Sequence, residues 1–171
     1  MDNAQLSLGG SLALASGALA NGTTAGTIKT TVAVPYFIDG IFQTAKAITD
    51  NIAFTVAVPA VAGNGYSTNG AFTGITGPGN PGSTRLYGVF LDTAGAVSFV
   101  PGAVVNSLEL AAGTAPLQFP AFQRNKACIG FVRIALTAGT TFIPGTTALN
   151  AAGVTTTYLN AATVPAEPLR S

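Results

Sequence analysis

The sequence predicts an all-β fold, namely a small β-sandwich or barrel-like domain of short antiparallel strands with an extended N-terminal arm. Three observations lead to this prediction. Apolar and β-branched residues alternate or form short runs rather than recurring at a helical spacing, and turn residues separate these runs. In addition, 21 Gly and 10 Pro among 171 residues interrupt any long helix. The length suits one domain, which we place at residues 27–171, preceded by the arm at residues 1–26.

The first 26 residues carry leucines at alternating positions, broken by glycines. The leucines are Leu6, Leu8, Leu12 and Leu14. Alternation is the period of a strand, and a short isolated strand cannot cover both of its faces. We therefore expect a docking arm whose leucines contact a neighbouring molecule, with a disordered tail as the alternative.

Two β-hairpins are predicted after the arm. TIKTTVAVPYFI and IFQTAKAI flank Asp39-Gly40, a dipeptide that tolerates the positive φ of a type I′ turn. Asp50-Asn51 then predicts a turn before a third strand, IAFTVAV. RLYGVFL and AVSFV flank a second turn that begins at Asp92 and ends at Gly95, the type I preference, and Pro101-Gly102 is expected to close that hairpin. Asp39, Gly40, Asp92 and Gly95 are predicted to have structural roles in these two turns rather than chemical ones.

Residues 59–84 lie between the hairpins and form a long Gly/Pro-rich loop in this interpretation. Tyr66, Phe72 and Ile75 are its large apolar residues, and we expect them to make its contacts. Residues 126–136, KACIGFVRIAL, predict the most buried strand and make Cys128 an inert thiol.

The remaining segments predict shorter elements. Residues 103–112 are ambiguous between strand and helix, residues 148–152 favour one helical turn, and residues 154–159 favour a strand.

Charged residues are scarce in this chain, and their scarcity limits the kinds of partner that it can bind. Only 8% of the residues are charged, with a net charge of +1, against about 25% in an average soluble domain. The surface is therefore either covered by other protein or wetted by hydroxyl and amide groups. No run of 18 apolar residues predicts a membrane span, and two nearby bases, Arg124 and Lys126, do not make a nucleic-acid-binding face.

Catalytic residues are also scarce. The chain has no His, one Cys and six scattered acids, which removes the usual general base, the His-dependent triads and Cys-based zinc sites. We predict no enzymatic activity, no cofactor and no metal site.

Three stretches resemble small head-associated structural proteins of tailed bacteriophages, of the capsid decoration (cement) or head-fibre kind. The first is TTVAVPYFIDGIFQTAKAITDNIAFT after an Ala/Gly/Thr-rich N-terminal stretch. The second is LYGVFLDTAGAVSFV. The third and most specific is ACIGFVRIALTAGTTFIPGTTALNAAGVTTTYLN. Together they cover most of residues 26–160, whereas residues 59–84 match no part of that pattern.

The resemblance implies a non-enzymatic virion protein that decorates and stabilises a capsid. It implies the major capsid protein and further copies of the chain as partners, in a trimer, and a location on the capsid surface after synthesis in the host bacterial cytoplasm. No nucleic acid or membrane partner is expected. The alternative is a phage fibre or tail component that binds a host surface receptor through residues 59–84, with Tyr66 and Phe72 as the groups that stack on the ligand. A hydrolase carried in the particle is disfavoured.

Overall fold

The chain folds almost entirely into antiparallel β-structure in a sandwich-like arrangement, as the sequence predicts. This computed structural model describes residues 10–56, 70–79, 81–121 and 123–162. Within those ranges the strands are β1 (Leu12–Ala13), β2 (Leu19–Asn21), β3 (Thr27–Thr30), β4 (Tyr36–Ile38), β5 (Ile41–Phe42), β6 (Thr49–Ala53), β7 (Phe72–Thr73), β8 (Ser83–Leu91), β9 (Val97–Asn106), β10 (Ala127–Leu136), β11 (Thr141–Phe142) and β12 (Val154–Leu159). One helix, α1 (Ser107–Ala111), follows β9.

A four-stranded antiparallel sheet with the order β12-β10-β8-β9 forms the centre of the structure. Every residue of β8 is buried, and β10 is buried over most of its length. A strand covered on both faces has no polar side to alternate with its apolar one. This explains why RLYGVFL and ACIGFVRIAL are nearly continuous apolar runs.

Three smaller antiparallel sheets cover the first face of the central sheet: β1-β4-β5, β2-β3-β6 and β7-β11. The ring of Phe54 lies at the centre of the core between these layers. It stacks on Phe99 at 4.1 Å between centroids and meets Tyr87 edge-on at 5.0 Å. Packed rings of this kind stabilise a core beyond the area they bury.

The second face of the central sheet is covered by α1 and the segment after it. Leu110 of α1 and Leu117 pack on Leu86, Phe90 and Phe131. Asn106 caps the helix, because its side chain accepts a hydrogen bond from the backbone N–H of Leu108 at 2.9 Å. The segment that the sequence left ambiguous, 103–112, is therefore the end of β9 followed by α1.

The predicted arm is part of the domain over its described portion. β1 pairs with β4, β2 pairs with β3, and Ala13 and Leu19 are buried in the core. The backbone N–H of Gly17 donates to the carbonyl of Ile129 in β10 at 2.8 Å. The prediction of an arm outside the core is therefore wrong for residues 10–26, since strand pairing satisfies their backbone groups. Leu6 and Leu8 lie outside the described residues.

Two predicted chain breaks are β-bulges instead. Asp50 and Asn51 lie within β6 opposite Lys29, and Asn51 has a positive φ of 55°. Pro101 and Gly102 lie within β9, where the register against β8 shifts between Arg85 and Tyr87. A bulge accommodates residues that read as breaks without ending the strand. Because β9 is at the edge of its sheet, it also tolerates the missing N–H of proline.

The C-terminal segments differ in how they match their predictions. Residues 148–152 form turns rather than a helical turn, with the N–H of Thr147 bonded to the carbonyl of Ile143 at 2.9 Å. Residues 154–159 form β12, as predicted, and β10 occupies the buried position expected of residues 126–136.

The turn at Asp39-Gly40 connects β4 to β5 with positive φ at both residues, 51° and 78°. A Cβ added at Gly40 would meet nothing within 4 Å, so a substitution there tests the backbone alone. We expect Gly40→Val to lower the free energy of unfolding by about 1–3 kcal/mol, because a β-branched residue is strained at this φ. Denaturant unfolding measures the change, with Asp39→Asn as the matched control.

Asp39→Asn is expected to change the free energy of unfolding by less than about 0.5 kcal/mol, since Asn adopts the same conformation. A loss in Asp39→Asn as large as that in Gly40→Val would show that the Asp39 carboxylate itself stabilises the turn. An unchanged stability of Gly40→Val would contradict the strain at Gly40.

The thiol of Cys128 is fully buried in β10 among the residues of the second face. Burial raises its pKa to about 12, and a backbone hydrogen bond at Gly130 offsets part of this rise. The thiolate is the reactive form, so we expect alkylation at pH 8 to be slower by about a thousandfold in the folded chain than in the unfolded chain.

The same shift predicts a pH dependence of stability. The unfolded thiol ionises near pH 8.5, about three units below the folded one, so its contribution is complete below that pH and is lost as pH rises towards 12. Iodoacetamide labelling followed by mass spectrometry measures the reactivity, and equally fast labelling of the folded chain would contradict the burial.

Candidate interaction surface

Apolar side chains form a row across the outer face of the β1-β4-β5 sheet. Leu12 pairs with Phe37, and Phe37 pairs with Phe42. Directly paired residues project from the same face of a sheet, so three strands place these side chains side by side. The rings of Phe37 and Phe42 meet edge-on at 5.2 Å. Phe42 remains 56% exposed, so much of this row faces solvent.

Leu14 extends the row. It lies two residues beyond Leu12, and its N–H donates to the carbonyl of Pro35 at 2.9 Å, which continues the pairing with the segment before β4. The Leu14 side chain is 55% exposed. We call Leu12, Leu14, Phe37 and Phe42 the outer apolar face. Ile41 pairs with the buried Ile38 and so projects from the other face of this sheet, where it is 67% exposed at the edge.

Charge is sparse around this face. Between residues 11 and 49 the charged residues are Lys29, Asp39 and Lys46. A contiguous exposed apolar patch with little charge to hold water is typical of an interaction surface. The sequence pattern identified Leu12 and Leu14 as interface residues, but it did not identify the two phenylalanines, because only the register of the strands brings them beside those leucines.

The predicted loop contacts are placed differently. Tyr66 lies outside the described residues. Phe72 is buried in β7 and meets the ring of Phe142 edge-on, so it packs this segment against the core and does not face solvent. Ile75 is 43% exposed, and its N–H donates to the hydroxyl of Ser83 at 3.0 Å.

The buried Arg85 of β8 holds the backbone of Gly70, which belongs to the segment 59–84. Arg85 Nε donates to the carbonyl of Gly102 at 2.8 Å, and its terminal nitrogen donates to the carbonyl of Gly70 at 2.9 Å. The Tyr87 hydroxyl donates to that same Gly70 oxygen at 2.6 Å, and burial raises the pKa of this tyrosine. The sequence signal was an arginine inside an apolar strand, where a charge is retained only with partners.

The second hairpin turn is held by the side chain of its first residue. Asp92 Oδ1 accepts hydrogen bonds from the N–H groups of Ala94 and Ala96, each at 2.9 Å. The Tyr36 hydroxyl donates to the Asp92 carbonyl at 3.0 Å, and Gly95 has the positive φ of 71°. These contacts support a structural role for Asp92 and Gly95.

The described ranges contain no group of three or more His, Cys, Asp or Glu side chains placed to hold a metal ion. In the same ranges, no helix has the length and apolar character needed to cross a membrane.

Comparison with protein-family models, curated proteins and solved structures finds no match for this chain. The resemblance to phage head proteins therefore rests on the sequence motifs alone.

Substitution of the exposed apolar residues of β5 should change the free energy of unfolding less than substitution of a buried ring. We expect the pair Ile41→Thr and Phe42→Thr to change the free energy of unfolding by less than about 1 kcal/mol, because both side chains are mostly in water. Phe99→Ala, the buried control, should lower it by about 3–5 kcal/mol. Chemical denaturation measures both changes. A large loss in the Thr variant would show that β5 contributes to the core.

Proposed function

We propose that this chain is a non-enzymatic structural protein of a bacteriophage virion, which decorates and stabilises the capsid through contacts with the shell and with its own copies. The observation that carries the proposal is the outer apolar face, which leaves Leu14 and Phe42 more than half exposed on a chain with very few charges. The resemblance of three sequence stretches to phage decoration proteins supplies the identity of the shell.

The exposed ring of Phe42 favours a surface that another molecule covers. Apolar area gains free energy when it leaves water, at about 25 cal/mol per Å². The cores of protein interfaces are depleted of charge and enriched in aromatic residues, which is the character of this face. A charge-poor chain also lacks the repulsion that keeps a soluble monomer apart from its copies.

A capsid is a suitable partner because it repeats the same site many times. When an oligomer engages several sites at once, weak contacts combine into strong attachment. We therefore propose a homotrimer, as the resemblance implies, with the major capsid protein as its partner and the capsid surface as its location.

Burial of Phe72 bears on the alternative function. A receptor-binding fibre that used residues 59–84 was expected to present this ring to a host ligand. With Phe72 packed in the core, the exposed apolar residue left in the described part of that segment is Ile75. The outer apolar face is thus the better supported contact surface.

The copy number in purified particles tests the proposal. We expect quantitative mass spectrometry to find this chain at a ratio to the major capsid protein near that of the capsomers. A few copies per particle would support the fibre alternative, and absence from the particle would refute both.

A pair of variants locates the contact. We expect Phe42→Asp to reduce capsid occupancy by at least about tenfold, since it places a charge in the apolar contact. Ile75→Asp, also at an exposed apolar residue, should leave occupancy unchanged. Light scattering of both variants and of the parent chain reports the oligomeric state. Normal occupancy of Phe42→Asp would show that the outer apolar face does not contact the shell.

A further inference from the structure

A cleft of about 300 Å³ lies on the second face of the central sheet beside α1. Its polar lining includes Thr84, Ser107, Arg133 and Thr155, and its apolar lining includes Leu110 and Ala135. The cleft exists because α1 has only five residues and covers part of this face, and because Ala135 is small. The outer apolar face belongs to a different sheet, β1-β4-β5.

Arg133 brings a positive charge to this cleft. It lies in β10, opposite Leu86 of β8 on one side and Thr157 of β12 on the other. Its Nε is shielded from solvent and has no hydrogen-bond partner among the described residues. No Asp or Glu is among the described residues that line the cleft. The positive charge of Arg133 therefore favours an anion there.

The form of the cleft indicates which anion fits. A guanidinium pairs with a carboxylate through two parallel hydrogen bonds. The hydroxyls of Thr84 and Ser107 are hydrogen-bonded to each other at 3.2 Å beside the same cleft, which leaves one hydroxyl hydrogen of the pair for a ligand. One cation balances the single charge of a carboxylate, whereas a phosphate dianion would call for more. The apolar wall matches methylene groups next to the acid.

We propose that this cleft binds a carboxylate carried on a short aliphatic stem, with Arg133 as its counter-ion and Leu110 and Ala135 against the stem. A free short-chain acid and a glutamate side chain of another protein share this chemistry. The proposal does not depend on the capsid function, because a binding measurement on the isolated chain tests it.

The test is a titration of the full-length, ¹⁵N-labelled chain followed by NMR. The probes are sodium acetate, sodium butyrate and 1-butanol, with sodium chloride at matched ionic strength. We expect saturable shifts of the amides of Thr84, Ser107 and Thr155 with both acids. Butyrate should bind about tenfold tighter than acetate, because it buries two more methylene groups. Butanol and chloride should give none. Absence of saturable shifts with both acids would overturn the proposal.

Two variants and one control assign the binding to these residues. Arg133→Gln should weaken butyrate binding by about tenfold or more, while Arg124→Gln, at an exposed turn outside the cleft, should not change it. Ala111→Leu, at an exposed residue of α1 that lines the cleft, keeps Arg133 and narrows the space, so butyrate should lose its advantage over acetate. Thermal unfolding confirms that each variant is folded.

If Arg133→Gln does not fold, the affinities of Ala111→Leu for butyrate and acetate test whether the cleft is the binding site. Unchanged butyrate binding in the folded variants would refute the cleft as the site.

A last comparison distinguishes the two sources of the carboxylate. The probes are the blocked tripeptides Ala-Glu-Ala and Ala-Gln-Ala. Tighter binding of the Glu peptide than of butyrate supports a protein side chain as the occupant, and weaker binding supports a free acid. Equal binding of the Glu and Gln peptides would refute recognition of a carboxylate.

Discussion

Burial of the β8–β10 pair on both faces is the constraint on which the rest of the structure depends. These two strands form the longest ladder in the described structure, and their apolar side chains divide between two cores. Each face therefore needs a cover. The first is covered by short strands drawn from distant parts of the chain, and the second by α1 and the segment around Leu117. Because the covering sheets are single layers, their inner residues complete the core and their outer residues meet the surroundings.

The two arginines of the central sheet show how this constraint treats charge. Arg85 lies on the first face, at 2% exposure, and carbonyl oxygens of Gly70 and Gly102 accept its hydrogen bonds. Its position joins the bulged edge strand β9 to the chain before β7. Arg133 lies on the second face, where the cover is incomplete, and its shielded Nε has no such acceptor among the described residues. A buried cation is retained at a cost unless it is paired, and the two carbonyl groups satisfy Arg85 in this way. Arg133 is only partly buried and borders the cleft for which an anion is proposed.

The sequence was informative where local chemistry decides the structure. The apolar runs of β8 and β10, the glycine turns and the strand at 154–159 follow from composition and short spacing. It was uninformative where distant pairing decides. Residues 10–26 look like an arm until β3 and β4 satisfy their backbone groups, and Asp50-Asn51 looks like a turn until a bulge opposite Lys29 accommodates it. The interaction surface divides in the same way. Alternation revealed Leu12 and Leu14, whereas the row through Phe37 and Phe42 exists only because three strands align in register. Arg133, like Arg85, stands in an apolar strand, but the sequence did not predict the cleft beside it, because its lining comes from four separate segments.

An exposed apolar face on a charge-poor chain raises the question of how free subunits avoid aggregation. The edge strand β5 is two residues long, which leaves few unpaired backbone groups for another sheet to extend. The face therefore offers side-chain contact without the backbone hydrogen bonds that would propagate a sheet. Thr155 and Thr157 of β12, an edge strand of the central sheet, are exposed, and their hydroxyls can hydrogen-bond to water. Under the proposed function, contacts of the outer apolar face repeat over many copies on the shell, and repetition combines small contacts into firm attachment.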